Sequence, residues 1–95
     1  MKRYVIFVGG GIQEKNIIKV LKKHYKIILF DINKNCPCRK LANKFVNISA
    51  HDYPKIKNSL KKLKKYNPLC SITFSEHEFA NTMLNNAFLK KKKLI

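Results

Sequence analysis

The chain has 95 residues, of which 45% are hydrophobic, and a formal net charge of +16. This composition is typical of one globular domain, and no apolar run approaches the roughly 20 residues of a membrane span or resembles a signal peptide, so we expect a cytoplasmic protein without a membrane partner. The positive charge comes from lysines spread over every predicted helix, with only two arginines, and predicts a basic surface with no specific nucleic-acid partner.

A buried strand, a glycine turn and a helix are predicted at the start of the chain. Residues 4–8 (YVIFV) form an apolar run typical of a strand buried on both faces. Gly9-Gly10-Gly11 follow at once, and apolar residues at helical spacing predict a helix over 12–24. Its apolar stripe comprises Ile17, Ile18, Leu21 and Tyr25. A second buried strand is predicted over 27–30, with Asp31 at its tip.

The rest of the chain repeats this alternation. A third strand is predicted over 45–48, and Asp52 is a plausible N-cap for a helix that ends before Pro68. A fourth strand over 69–74 and a helix over 79–88 complete the pattern. Alternating strands and helices predict an α/β fold: a Rossmann-like three-layer α/β/α domain with a four-stranded parallel sheet in the order 3-2-1-4.

The carboxyl ends of parallel strands meet at one edge of the sheet, where α/β proteins bind their ligands. We therefore predict a substrate-binding crevice there, formed by Gly9, Gly10, Gly11, Ile12, Gln13, Asp31, Asn33, Ser75 and Glu76. Glycines let main-chain N–H groups approach an anion, so we expect a small carboxylate or phosphate against residues 10–13. On this view Gly10→Val abolishes binding without unfolding the domain. The sequence indicates no catalytic residue.

Three cysteines accompany three histidines, and their spacing gives no metal site. Cys36 and Cys38 flank a proline, and Cys70 lies in a later apolar run. A zinc site needs four ligands in recognisable pairs, which the histidines do not complete. We expect free thiols, with Cys36 and Cys38 as structural loop residues.

A dinucleotide-binding fingerprint is matched only in part. Gly9 and Gly11 fill its first two glycine positions, but Glu14 occupies the third, where a carboxylate would crowd the packing and repel a pyrophosphate. Asp31 does lie where the ribose contact of that motif is expected. A phosphate-binding loop is excluded, because no Gly-Lys-Ser/Thr follows the glycines. A stand-alone nucleotide- or dinucleotide-binding regulatory domain therefore stays open as an alternative.

The order and spacing of several blocks resemble the N-terminal (pre-ATP-grasp) domain of ATP-grasp enzymes. The blocks are the opening strand and turn over 5–13, the stretch IILFDINKN over 27–35, the stretch CPCRKLANKF leading to VNIS over 36–49, and ITFSE over 72–76. The likeness spans nearly the whole chain, from Arg3 to Leu89. One departure is Asn43, where relatives commonly carry Asp.

This resemblance implies a function. Family members, such as carbamoyl-phosphate synthase, biotin carboxylase and purine-pathway enzymes, join a carboxylate to an amine or a similar nucleophile through an acyl-phosphate made with ATP and Mg²⁺. Residues 1–89 would be the substrate-side domain, whose glycine turn meets a small-molecule carboxylate. Residues 90–95 would be a basic tail, the truncated start of the next domain. ATP and Mg²⁺ would be held by the ATP-grasp domains missing from this chain, which would then be a fragment of a ligase, inactive alone and without a cofactor of its own.

Overall fold

The computed structural model describes residues 2–49, 52–73, 85, 86 and 89. Its strands are β1 (Arg3–Val8), β2 (Tyr25–Asp31), β3 (Lys44–Asn47) and β4 (Ser71–Ile72). All the pairings between them are parallel, and the strands lie in the order β3-β2-β1-β4. The predicted sheet and its strand order are therefore confirmed.

The helices lie in the connections between strands. Helix α1 (Lys15–Leu21) follows β1 after a 3₁₀ turn over Ile12–Glu14, and a short 3₁₀ turn over Arg39–Leu41 precedes β3. Helix α2 (Tyr53–Leu63) follows β3 and continues into a 3₁₀ turn over Lys64–Tyr66. The predicted cap of α2 is confirmed, because the Asp52 side chain accepts a hydrogen bond from the Lys55 N–H at 3.2 Å.

The core lies on both faces of the sheet, because successive side chains of a strand point to opposite faces. On one face, alternate residues of β1 and β2 pack against α2, and this cluster comprises Ile6, Val8, Ile28, Phe30, Ile48, Ile56, Leu60, Leu63 and Leu89. On the other face, the intervening residues pack against α1 and the loop before β3, and this cluster comprises Val5, Phe7, Ile18, Ile27, Leu29, Cys36 and Cys38. Helices therefore cover both faces, as the three-layer prediction requires.

The first helix is shorter than the 12–24 predicted from its apolar period. The α-helix ends at Leu21, and the N–H of His24 donates to the carbonyl of Leu21 at 3.0 Å in a closing turn. Helical spacing predicts Tyr25 on the apolar stripe of this helix, but it begins β2, where it is in register with Arg3. Pairing with β1 decides the conformation of Tyr25, a tertiary effect that helical spacing does not detect.

The fourth strand is also shorter than predicted, with ladder pairing confined to Ser71 and Ile72. The Asn86 amide occupies the outer edge of this strand: its Oδ1 accepts from the Ser71 N–H at 2.8 Å, and its Nδ2 donates to the Ser71 carbonyl at 3.0 Å. Residues 85, 86 and 89 are helical, while Phe74 and most of the helix predicted over 79–88 lie outside the described residues. None of the helices in the described ranges has the length and apolar character needed to cross a membrane.

Candidate functional site

The glycine turn lies at the carboxyl end of β1, at the edge where the predicted crevice was placed. Gly9 has a φ of 92°, a value that side chains with a Cβ rarely adopt, and its N–H donates to the Phe30 carbonyl at 2.8 Å. This bond continues the pairing of β1 with β2 by one residue. Gly9 therefore turns the chain out of the sheet while the turn stays attached to β2.

Asp31 holds the glycine turn directly. Its Oδ2 accepts a hydrogen bond from the Gly10 N–H at 2.7 Å, and its Oδ1 accepts one from the Asn33 N–H at 2.8 Å. Hydrogen bonds to an ionised acceptor are among the stronger ones in proteins. The sequence placed Asp31 and Gly10 together at the rim, and the structure shows that they bind each other.

The turn that follows β2 is built from asparagines. The Oδ1 of Asn33 accepts from the Asn35 N–H at 3.0 Å, so this predicted site residue stabilises its own loop. The Nδ2 of Asn47, at the end of β3, donates to the carbonyls of Asp31 and Ile32 at 2.9 and 2.7 Å. The sequence analysis missed Asn47, although a polar residue that ends a parallel strand lies at the same edge and could have been included.

Gly10 is buried against the core, which corrects the expectation for Gly10→Val. A Cβ at this position would lie 2.7 Å from Cδ2 of Leu29, which is fully buried, and 3.1 Å from Cβ of Cys38. Neither neighbour has room to move in a close-packed interior. A larger residue at Gly10 would therefore destabilise the domain, a cost that the expectation for Gly10→Val did not include.

Cys38 supports the turn from below. Its N–H donates to the Gly10 carbonyl at 3.1 Å, and its Sγ lies 3.2 Å from the Gly11 carbonyl oxygen as a donor. Burial, together with the nearby carboxylates of Asp31 and Glu14 respectively, raises the pKa values of the Cys36 and Cys38 thiols. Both are free and buried thiols, in agreement with the structural role predicted for them.

Three main-chain donors of the turn remain available. Within the described part of the chain, the N–H groups of Gly11, Ile12 and Gln13 make no hydrogen bond. The Glu14 carboxylate lies beside Gly11, since a Cβ at that position would be 3.1 Å from its Oε2. A ligand at this turn would thus meet N–H donors next to a carboxylate.

Two exposed isoleucines flank the turn. Ile12 is 73% exposed and Ile32 is 66% exposed, and they follow the ends of the adjacent strands β1 and β2. Single exposed apolar side chains are common, but two at one edge beside open N–H groups form a small apolar rim.

The structure brings together part of the predicted crevice. It places Gly9 to Gln13, Asp31 and Asn33 at one edge, whereas Ser75 and Glu76 lie outside the described residues. Thr73, which the sequence analysis missed, donates through its Oγ1 to the Val8 carbonyl at 2.9 Å and so ties the chain after β4 to the end of β1. Within the described ranges, no three His, Cys, Asp or Glu side chains come together as a metal site.

These features define a Rossmann-like α/β domain with its candidate site at the carboxyl edge of the sheet. The same fold is found in two structures of N5-carboxyaminoimidazole synthetase from Staphylococcus aureus, the first of them a complex with ADP. They match this chain with TM-scores of 0.60 and 0.59, at 24% identity, over 77% of this chain and 19% of the synthetase. An ADP complex of N5-carboxyaminoimidazole ribonucleotide synthetase matches with a TM-score of 0.66 at 21% identity, over 94% of this chain and 25% of that one.

These likenesses establish the fold, which is that of one part of N5-carboxyaminoimidazole ribonucleotide synthetase. The chain spans about a fifth to a quarter of the length of these synthetases. No protein-family model matches the sequence, and no curated protein is similar enough to count as a match.

Proposed function

We propose that this chain is the substrate-side N-terminal domain of an ATP-dependent carboxylate–amine ligase of the ATP-grasp family. The observation that carries the proposal is the match to N5-carboxyaminoimidazole ribonucleotide synthetase over 94% of this chain and only 25% of the synthetase. A module that resembles one part of a larger enzyme is expected to contribute one wall of its site. Residues 1–89 would be this domain, and residues 90–95 would begin the next one.

The carboxylate substrate would bind at the N–H groups of Gly11, Ile12 and Gln13. These donors are unused within the described residues, and the turn that carries them is fixed on β2 through Gly9 and Gly10. Fixed donors lose little freedom when a ligand binds. Asp31 and Asn33 would act by holding the turn in place, and Ser75 and Glu76 would line the crevice from the loop after β4.

The exposed apolar rim of Ile12 and Ile32 is consistent with a further domain that would pack on this edge of the sheet. Covering two large exposed apolar side chains is favourable, at roughly 25 cal/mol per Å² removed from water. In a full-length ligase, the ATP-grasp domains would close over the substrate here. The same closure would exclude water from the acyl-phosphate that such enzymes form.

ATP and Mg²⁺ would be used by the parent enzyme and held outside this domain. Two of the similar synthetase structures were solved with ADP. This domain would hold the substrate, and the ATP-grasp domains of the parent enzyme would hold the metal. The chain alone would be inactive.

The alternative is a stand-alone nucleotide- or dinucleotide-binding regulatory domain. It would use Asp31 as the ribose contact, whereas here Asp31 accepts the Gly10 and Asn33 N–H groups and holds the turn in place. Glu14 also lies beside this turn, where it disfavours any anion. A pyrophosphate carries more negative charge than a single carboxylate, so it would be repelled more strongly. Both observations favour the ligase domain.

The DNA that follows the codon of Ile95 separates the two functions. A coding frame for ATP-grasp domains, either continuous or displaced by a frameshift, would support the ligase. A stop codon with no such sequence nearby would support the stand-alone domain. At the protein level, the 95-residue chain should not hydrolyse ATP, and turnover above background that is lost in Glu76→Gln would contradict the proposal.

A further inference from the structure

A cluster of tyrosines and lysines lies at the opposite edge of the sheet from the candidate site. Tyr4 in β1, Lys26 in β2 and Lys44 in β3 all stand near the amino ends of their strands. Tyr66 and Lys65, from the 3₁₀ turn after α2, complete what we name the tyrosine–lysine patch. The register places Tyr4 opposite Lys26 and Lys44 opposite Ile28, so the strand residues share the face that α2 covers.

Three lysine ammonium groups lie over the two tyrosine rings of this patch. The ring centroids of Tyr4 and Tyr66 are 4.9 Å apart. Lys26 Nζ lies 5.4 Å from the centroid of Tyr4, while Lys44 Nζ and Lys65 Nζ lie 5.1 and 5.3 Å from that of Tyr66. Cation–π attraction offsets part of the repulsion between the like charges. Hydrogen bonding with the Tyr66 hydroxyl also raises the pKa of Lys44, which keeps its ammonium charged.

A pocket next to the patch extends the positive surface. It has a volume of about 240 Å³ and lies between β3 and α2, with Val46 and Leu63 as apolar walls and Lys44, Lys62 and Ser59 as polar ones. Lysine ammoniums bind phosphate as point charges, and a serine hydroxyl can donate a hydrogen bond to a phosphate oxygen.

These lysines have no carboxylate partner within the described residues. The acids described there are Glu14, Asp31 and Asp52, and all three lie at the carboxyl edge of the sheet or at the helix starts that follow it. Asp52 pairs with Lys55, at 3.8 Å, on the first turn of α2. The amino edge therefore carries positive charge that a bound anion would neutralise.

We propose that the tyrosine–lysine patch and its pocket bind a chain of linked phosphates, as in inorganic polyphosphate or the triphosphate of a nucleotide. Several ammonium groups spread over two rings are better suited to binding an anion with several charges than to binding a single phosphate. Single-stranded nucleic acid is less suited, because its bases bind by stacking on open aromatic faces and here ammonium groups already stand over both rings.

Titration of the 95-residue chain with inorganic triphosphate at fixed, moderate ionic strength tests this site. We expect amide shifts at Tyr4, Lys44 and Tyr66, and an affinity that falls about tenfold in Lys44→Gln, as expected for the loss of one charge-assisted contact. Lys19→Gln is the matched control, since it removes the same charge from α1 on the other face. Its affinity should change less than about twofold, because only non-specific attraction is lost.

Two results would overturn the proposal. Equal losses in Lys44→Gln and Lys19→Gln would mean that the net charge alone attracts the anion. Tighter binding of polyuridylate than of triphosphate, with the larger shifts at the Tyr66 ring, would mean a nucleic-acid surface. Parallel titrations with ATP and with inorganic triphosphate separate the two sources of a phosphate chain: equal affinities indicate the phosphates alone, and tighter ATP binding indicates a nucleotide.

Discussion

The carboxylate of Asp31 accepts a hydrogen bond from the main-chain N–H of Gly10 over 2.7 Å, and this bond joins the turns that end β1 and β2. The same carboxylate caps the N–H of Asn33, so one side chain fixes two loops. The candidate site depends on this bond for its shape, because the open donors at residues 11–13 directly follow Gly10.

Replacing Asp31 should therefore cost stability. In Asp31→Ala the part-buried N–H of Gly10 loses its partner, and the cost should lie at the low end of the range for an unsatisfied buried donor, about 1 kcal/mol. Glu14→Gln is the control, since it removes a negative charge from the same rim without removing a hydrogen bond to the turn. Urea unfolding of both variants measures the difference. Equal stabilities for the two would show that the Asp31–Gly10 bond contributes little.

The glycines of the turn should differ sharply in their tolerance of a methyl group. In Gly10→Ala the new Cβ would meet Leu29 at 2.7 Å inside the core, and overpacking of this kind costs about 1–3 kcal/mol. In Gly11→Ala the contact is the mobile end of Glu14 at 3.1 Å, and the φ of −71° suits any residue, so the change should stay within about 0.5 kcal/mol. The midpoints of chemical unfolding compare the two. A Gly11 variant as unstable as the Gly10 variant would contradict this packing argument.

The sheet could be predicted from the sequence because the patterns that indicate its strands are strong and local. Apolar runs marked β1 and β2, and the alternation with helices left few strand orders to consider. The prediction was wrong where pairing with a residue distant in sequence decides the local structure. Tyr25 has the spacing of a helix residue but pairs with β1, and β4 is short at an edge where the Asn86 amide takes the outer hydrogen bonds of Ser71.

The candidate site could be located from the sequence, whereas its internal contacts could not. The position of the glycine turn and of Asp31 at one edge follows from parallel topology. That Asp31 binds Gly10, and that Gly10 packs on Leu29, depends on the three-dimensional spacing of separate strands, which the sequence does not give. The Oδ1 of Asn43 accepts from the Ile27 N–H at 2.8 Å, a bond that an Asp at this position could also make. The departure from the family pattern at Asn43 therefore leaves this contact intact.

The buried thiols should make stability depend on alkaline pH. Burial raises the pKa values of Cys36 and Cys38 above the ordinary 9.0, so both remain neutral in the folded protein at a pH where the unfolded chain ionises. Their contribution is therefore fully present below about pH 9 and is lost as the pH rises towards the folded-state values.

Urea unfolding between pH 7 and pH 10 measures this effect. We expect the free energy of unfolding to fall above pH 9, and to fall less steeply in Cys38→Ala, which removes one of the two thiols. Cys70→Ala is the control, because it leaves both buried thiols in place. If Cys38→Ala and Cys70→Ala both show the same slope as the unchanged protein, the buried thiols do not cause the loss of stability.

A small carboxylate should bind the turn weakly, and Glu14 should oppose it. Acetate or bicarbonate should shift the amide signals of Gly11, Ile12 and Gln13, whose N–H groups are open, and should leave that of Gly10 less affected because Asp31 holds its N–H. With one wall of the site present, the dissociation constant should be in the millimolar range, which corresponds to a binding free energy of about −4 kcal/mol.

The Glu14 carboxylate lies beside Gly11, so Glu14→Gln should tighten the binding of acetate about three- to fivefold. This is the effect of one nearby like charge at a solvent-exposed site. Acetamide, which has the shape of acetate without its charge, is the control ligand and should give no comparable shifts. Shifts confined to the lysine-rich helices and abolished by added salt would show that the glycine turn has only a structural role in this domain.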